Sequence, residues 1–493
     1  MRALLGGADR GPILAAGFVF GALALLATSV LTGSAEAEVA PLIALGVILA
    51  IAYKTLLAWP ALLAGLVIVI LFIPIKRYTL PGHLPFELEP YRLLVGVIVL
   101  LWITALLVDP RVKLRKHGFE APMLLIVLGV VGSILANGSR ITELSLDSEV
   151  MKALTFFLSF WLVVYLMVSV VRTFETAEFL VKVMVAGGAV VAFFSLFEAR
   201  TGFNLFDHVE TFVPILDQTE IADSLTRGGA LRANGSAQGA IPLGAALVLL
   251  IPIAAYLGNR VNPRWWVAVG LLALGALSTR SRTGVVMMIV LILAFMWMRP
   301  KQTKRFIVPA LLPAVVIVHL ALPGAIGGLK SSFFPEGGLL AQQSQNAGSR
   351  GSGRIADLGP ALDEWSQKPM LGQGYGTRLT GREHRFDGRG AHILDNQWLK
   401  SLLEIGVAGV VGWLWLFIGV VRRTGKRAKN DHSDYGWLLA AISGSVLAFG
   451  VGMYFYDAFS FIQVTFLFYI LMALGAALLA MPPKHRSPAR SAT

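Results

Sequence analysis

The stretch WWVAVGLLALGALS-TRSR-TGVVMMIVLILAFM, residues 265–296, decides how the chain is read. Two apolar runs meet at Thr279-Arg280-Ser281-Arg282. Apolar runs of about 15–24 residues recur along the chain, the length that crosses ~30 Å of hydrocarbon as a helix. Charged side chains are costly at that depth, so two arginines at a helix junction call for an anionic partner.

The composition agrees. Of 493 residues, 56% are hydrophobic and 14% charged, which a soluble chain of this length would not show. The net charge of +13 is spread over many short loops, as the positive-inside rule produces, so nucleic acid is not the expected partner. Cysteine is absent, which excludes disulfides, zinc–thiolate sites and iron–sulfur clusters. Arg2 and Arg10 precede an apolar run, 12–31, that imitates a signal peptide. It exceeds the usual 7–15 residues of an h-region, so an uncleaved first helix is expected.

The expected helices are 12–31, 38–53, 55–74, 91–108, 120–136, 152–171, 178–197, 236–257, 265–278, 284–298, 306–323, 397–421, 436–453 and 458–480. The fold class is thus all-α, a polytopic bundle of about 14 transmembrane helices. One set of loops is basic, among them Arg111 to Lys116, Arg299 to Arg305 and Arg422 to Lys429. The alternate loops carry acids, such as Glu87, Glu143 and Asp207. Basic loops mark the cytoplasmic side, so both termini are expected there. Two outer loops are long, about 198–235 and 324–396, and loops of such length tend to carry function. The chain divides into N-terminal helices with the first outer loop (1–230), a core including loop 324–396 (231–421), and a C-terminal hairpin with a cytoplasmic tail (422–493).

Four clusters fall on the outer side: Arg232-Ala-Asn-Gly; Arg280 and Arg282; Arg354, heading a short surface helix; and His392-Ile-Leu-Asp395-Asn396, leading towards Glu404. Guanidinium stays charged and pairs phosphate bidentately, so arginines at this face suit a diphosphate. In a partly dry site they would also stabilise charge on a departing pyrophosphate. His392 or Asp395 would accept a proton from an attacking hydroxyl. Asp395-Asn396 also fits a helix N-cap, and Glu404, inside an apolar helix, needs a partner such as a bundle arginine. Arg378, Arg382, Arg385 and Arg389 read as a solvated loop face, and Asp457 as a turn residue. No P-loop, dinucleotide fingerprint, HExxH or Asp-x-Asp is present, so neither a nucleotide pocket nor a metal or other cofactor is expected.

Taken in order, these pieces resemble the O-antigen ligase and polymerase superfamily of bacterial surface-polysaccharide assembly. They are Arg232-Ala-Asn-Gly with Pro242-Leu-Gly; Ser278 to Gly284; Gly353-Arg354 through Trp365, Pro369 and Gly372-Gln-Gly-Tyr-Gly376; and Asp395-Asn-Gln-Trp-Leu with Leu403-Glu404-Ile-Gly-Val-Ala-Gly409. The resemblance covers about 230–420. It implies a metal-independent, inverting glycosyltransferase of the inner membrane with its active face in the periplasm. Such an enzyme moves a glycan from undecaprenyl pyrophosphate to a growing polysaccharide or to lipid A core. Arg232, Arg280, Arg282 and Arg354 would hold the pyrophosphate, with His392, Asp395 and Glu404 as catalytic candidates. Membrane lipids, and a chain-length regulator or flippase, would be its neighbours. Ligases of this family carry His-Asn before the closing helix. Here Asp395-Asn396 stands in that place, with His392 three residues earlier, which leans towards a polymerase.

The rival class is a transporter or flippase for a lipid-linked glycan, which also needs cations for a diphosphate headgroup. Transporters tend to show inverted repeats and helices broken at mid-membrane. No repeat is visible here, and the polar residues gather at one face. A structural or sensory membrane protein is a third reading; it would tolerate alanine at Arg280 and Arg282.

Overall fold

A computed structural model describes residues 58–81, 89–109, 112–219, 226–227, 230–322, 324–335, 337–345, 354–378 and 394–481. The expected helices 12–31 and 38–53, and the candidate His392, lie outside the described residues.

The chain is an all-α, multi-pass membrane protein. Among the described residues, the helices of six residues or more are α1 (Trp59–Phe72), α2 (Pro90–Val108), α3 (Glu120–Ala136), α4 (Gly138–Glu143), α5 (Asp147–Val170), α6 (Phe174–Thr201), α7 (Ala240–Arg260), α8 (Trp265–Ser278), α9 (Arg282–Met298) and α10 (Pro300–Ala321). There follow α11 (Ala325–Phe333), α12 (Leu339–Gln345), α13 (Leu358–Ser366), α14 (Gln397–Asn430), α15 (Asp434–Gly452) and α16 (Ile462–Ala480). Each expected helix from 55–74 onward overlies one of these. Among the described residues, α2, α5, α6, α7, α14, α15 and α16 are long and apolar enough to cross a membrane. The apolar helices α1, α3, α8 and α9 are shorter. Two small antiparallel ladders, Tyr78–Thr79 with Asp217–Gln218 and Thr226–Arg227 with Ala230–Leu231, tie loops together.

Burial sorts the helices. The apolar window of α16 is 94% buried and that of α2 only 28%, so α16 runs through the centre and α2 along the rim. Leucines such as Leu107 and Leu135 face outward. Lipid tails are as apolar as leucine, so outward leucine costs nothing and helix association falls to close packing of small residues. A Cβ on Gly129 of α3 would lie 3.0 Å from the Cα of Gly409 in α14, so these two backbones touch.

At the basic end, arginines do more than orient loops. Arg299 is buried, donates to the Asp431 carbonyl at 2.5 Å and lies over the Trp437 ring. Arg260 pairs with Asp434 at 2.7 Å. Both contacts fix the turn between α14 and α15.

The decisive local feature is a break in α14. Gly406 has φ 63° and ψ −167°, a region that only glycine enters readily. The break is buried, so the backbone groups it releases need partners from the protein. Residues 369–374 supply them: the N–H of Gln373 donates to the Leu403 carbonyl at 2.8 Å and that of Gly374 to the Glu404 carbonyl at 3.3 Å. In return, the N–H groups of Val407 and Ala408 donate to the carbonyls of Pro369 and Met370 at 2.9 and 3.2 Å. Ser133 of α3 adds a bond to the Glu404 carbonyl at 2.5 Å. There is no room for side chains here: a Cβ on Gly406 would lie 2.3 Å from the Met370 oxygen, and one on Gly372 2.6 Å from the Leu403 oxygen. Gly406→Ala is expected to destabilise the protein by roughly 2 kcal/mol or more, seen as a lower thermal-unfolding midpoint in detergent. An unchanged midpoint would mean that the break does not need glycine.

Candidate functional site

The loop end of the bundle is assembled from the segment before α7 upward. Residues 232–235 dock on the end of α8. The Arg232 Nε donates to the Thr279 carbonyl at 3.0 Å, and the Ala233 N–H to the Ser278 carbonyl at 3.4 Å. Beneath them, the Glu198 carboxylate of α6 accepts from the N–H groups of Asn234 and Gly235 at 2.9 and 2.8 Å. Arg77, from the turn after α1, donates to the Gly235 carbonyl at 3.1 Å and to the Ala237 carbonyl, and pairs with Asp207 at 2.9 Å. Burial lowers the Arg77 pKa, and Asp207 opposes that shift.

Arg280 occupies the bend between α8 and α9 with φ 49°. A non-glycine residue in that region carries strain of ~1–3 kcal/mol and is held there by its surroundings. Its side chain is buried, which lowers its pKa, and it reaches the backbone of α11: a Cβ on Gly328 would stand 2.9 Å from its Nη1. Arg282 begins α9.

Arg282 and Arg354 line one cavity of about 200 Å³, together with Gln343, Tyr454 and Phe455. Arg354 is held from several sides. Its Nη2 donates to the Phe455 carbonyl at 2.7 Å and lies 3.4 Å from the Asp395 carboxylate, and its backbone N–H donates to the Gln343 side chain at 3.2 Å. Burial lowers the Arg354 pKa, with Asp395 opposing. The two sequence readings of Asp395-Asn396 divide between the residues. Asn396 caps α14, accepting from the Leu399 N–H at 3.1 Å, and Asp395 pairs with Arg354. The surface helix read from 354–365 is observed as α13, and it packs Ala361 against Leu394, Leu399 and Leu403.

Glu404 is not with the arginines. It lines a second cavity of about 190 Å³, beside Lys400, Lys76, Lys152, Glu149 and Tyr375, with aromatic rings around them. Its partner is not a guanidinium: Glu404 Oε1 accepts from the backbone N–H of Arg378 at 3.1 Å. The Arg378 side chain pairs with Glu364, so the reading of that arginine as solvated loop face is corrected. Arg382, Arg385 and Arg389 lie outside the described residues. Asp457 is more than a turn residue. It is buried and pairs with Lys400 at 2.8 Å, and Ser460 bonds to both.

The structure thus joins Arg282, Arg354 and Asp395, sets Arg232 and Arg280 at the adjoining bend, and separates Glu404 from them. Sequence reasoning missed Lys76, Arg77, Lys152, Lys400 and Asp457. Two signals were available. Lys76-Arg77 breaks the acidic character of its loop just as Arg280 and Arg282 do. Lys400 lies four residues before Glu404, on the same face of a helix.

The class that the described residues define is a multi-pass helical membrane protein with an arginine-lined cavity at one end of the bundle. Residues 267–414 match the family model described as O-antigen ligase. The match supports the resemblance of this segment to the O-antigen ligase and polymerase superfamily. No curated protein matches the chain.

Breaking a buried ion pair typically costs ~3–5 kcal/mol, whereas replacing both partners costs far less. Lys400→Met is therefore expected to lower the unfolding midpoint strongly, and adding Asp457→Asn should restore much of the loss. A double-mutant cycle on purified protein measures it; additive effects would mean that the pair contributes nothing.

Proposed function

We propose that the chain is an O-antigen ligase- or polymerase-like glycosyltransferase of surface-polysaccharide biosynthesis. It moves a glycan from undecaprenyl pyrophosphate to a sugar hydroxyl on a growing polysaccharide or on lipid A core. The proposal includes about fourteen spans in the bacterial inner membrane, cytoplasmic termini, and a periplasmic site beneath loop 324–396. The observation that carries it is the cavity shared by Arg282 and Arg354, two residues of the segment that matches the O-antigen ligase family.

The chemistry follows from those side chains. The acceptor oxygen attacks the anomeric carbon from the face opposite the leaving group, which inverts it. The bond from that carbon to the diphosphate oxygen breaks, and the electron pair leaves with undecaprenyl pyrophosphate. Arg282 and Arg354, with Arg232 and Arg280 beside them, stabilise the leaving charge, so the step needs no metal. The acceptor proton passes to Asp395 or His392. Asp395 is poised for this by its partner: once Arg354 turns its charge to the diphosphate, the carboxylate loses stabilisation and becomes the stronger base. Glu404 faces the neighbouring cavity and has no step here.

The test is release of undecaprenyl pyrophosphate from a lipid-linked donor and an acceptor glycan by purified protein in liposomes. Arg282→Ala and Arg354→Ala are each expected to lower the rate roughly 10²-fold or more. Arg354→Lys should recover only part, since lysine lacks the forked donors. Absence of product with wild-type protein across ligase and polymerase acceptors would refute the reading.

A further inference from the structure

The second cavity has features that the transfer step does not use. At about 190 Å³ it is smaller than the ~300–1,000 Å³ of ordinary ligand sites, and it suits one ring. Phe157, Tyr375 and Trp413 give it an aromatic wall. Three ammonium groups reach it from separate elements: Lys76 after α1, Lys152 on α5 and Lys400 on α14. The charge of Lys400 is answered by Asp457. Among the described residues, neither Lys76 nor Lys152 forms an ion pair.

Lys76 is also fixed in place. Its backbone is left-handed, with φ 68°, and is held by a bond from its N–H to the Glu89 carboxylate at 2.8 Å and one from Thr219 to its carbonyl at 3.2 Å. Strained backbone of this kind persists where the surroundings over-determine it, and it gathers at ligand sites. Burial, and then the charge on Lys152, lowers the pKa of Lys76, as expected for two cations facing one space. An anion between them would relieve that repulsion. Glu149 and Glu404, on the same walls, are acceptors for hydroxyl groups.

We propose that this cavity is a subsite for one acidic monosaccharide unit, its carboxylate held by Lys76 and Lys152 and its ring laid on the aromatic wall. The inference rests on the transferase reading, because it assigns the acidic sugar to the donor or the acceptor glycan.

The test is saturation-transfer NMR on the full-length protein in detergent, with methyl glucuronide and methyl glucoside as probes. The glucuronide is expected to bind with saturation on its ring protons, and the glucoside far more weakly. Lys76→Gln with Lys152→Gln should weaken glucuronide binding about tenfold or more, the loss of a charged hydrogen bond, while Lys76→Arg with Lys152→Arg retains it. Wild-type binding should fall as salt rises, a readout that needs no variant. Equal binding of the two glycosides, or wild-type affinity in the glutamine variant, would overturn the proposal. So would displacement of the glucuronide by inorganic phosphate as readily as by free glucuronate, which would mean an anion site without sugar recognition. A lipid-linked donor ending in a uronic acid separates the sources: if it displaces the probe, the unit belongs to the donor; if the probe stays, to the acceptor. Binding needs no turnover. Glucuronide binding without undecaprenyl pyrophosphate release would fail the transferase reading alone, and release without binding would fail this one alone.

Discussion

The exchange of hydrogen bonds between residues 369–374 and the break at Gly406 is the constraint on which the loop end depends. A helix broken within a membrane must find partners for its freed backbone groups from protein, because lipid offers none. Here the chain that returns from the loop provides them, two in each direction. Helix and loop therefore fix one another. Tyr375 and Gly376 follow directly on the strap and are carried onto α5, where a Cβ on Gly376 would meet Ala153 at 2.5 Å. That exchange sets where Tyr375 and Gly376 stand in the wall of the lysine-lined cavity.

Charge at this end is managed locally rather than in one network. Arg77 is spent on carbonyls and Asp207, and acts as structure. Lys400 and Asp457 neutralise one another behind the second cavity. Arg354 sits between these extremes, because its bonds to the Phe455 carbonyl and to Asp395 position it while leaving it on a cavity wall. A guanidinium has five donors in a rigid fork, so it can hold a frame and still face a ligand.

The spans were legible because lipid demands long apolar runs, and the alternation of basic and acidic loops gave their order. Helix ends were less so. The expected 178–197 is observed as Phe174–Thr201, because Glu175, Glu198 and Arg200 continue the helix into the polar boundary. The candidate arginines stood out as violations of the loop charge pattern. Lys400 did not, since one lysine in an apolar run gives no hint of Asp457, which lies 57 residues away. Leu403-Glu404-Ile-Gly406 and Gly372-Gln-Gly-Tyr-Gly376 were visible as separate motifs, but their pairing is a property of the folded chain. Which acid would meet which base was likewise beyond the sequence: Glu404 suggested an arginine side chain and found an arginine backbone.

The clasp of Glu198 on Asn234 and Gly235, with Arg77 bound to the same segment, reaches beyond its own neighbourhood. The matched segment begins at residue 267, yet the end of its first helix, at Ser278 and Thr279, is bonded by Ala233 and Arg232, whose segment rests on α6 and the turn after α1. The region with the family signature is thus not a detachable module. Its geometry is set in part by helices outside the match, through one carboxylate, Glu198, and one guanidinium, Arg77, that meet at Gly235.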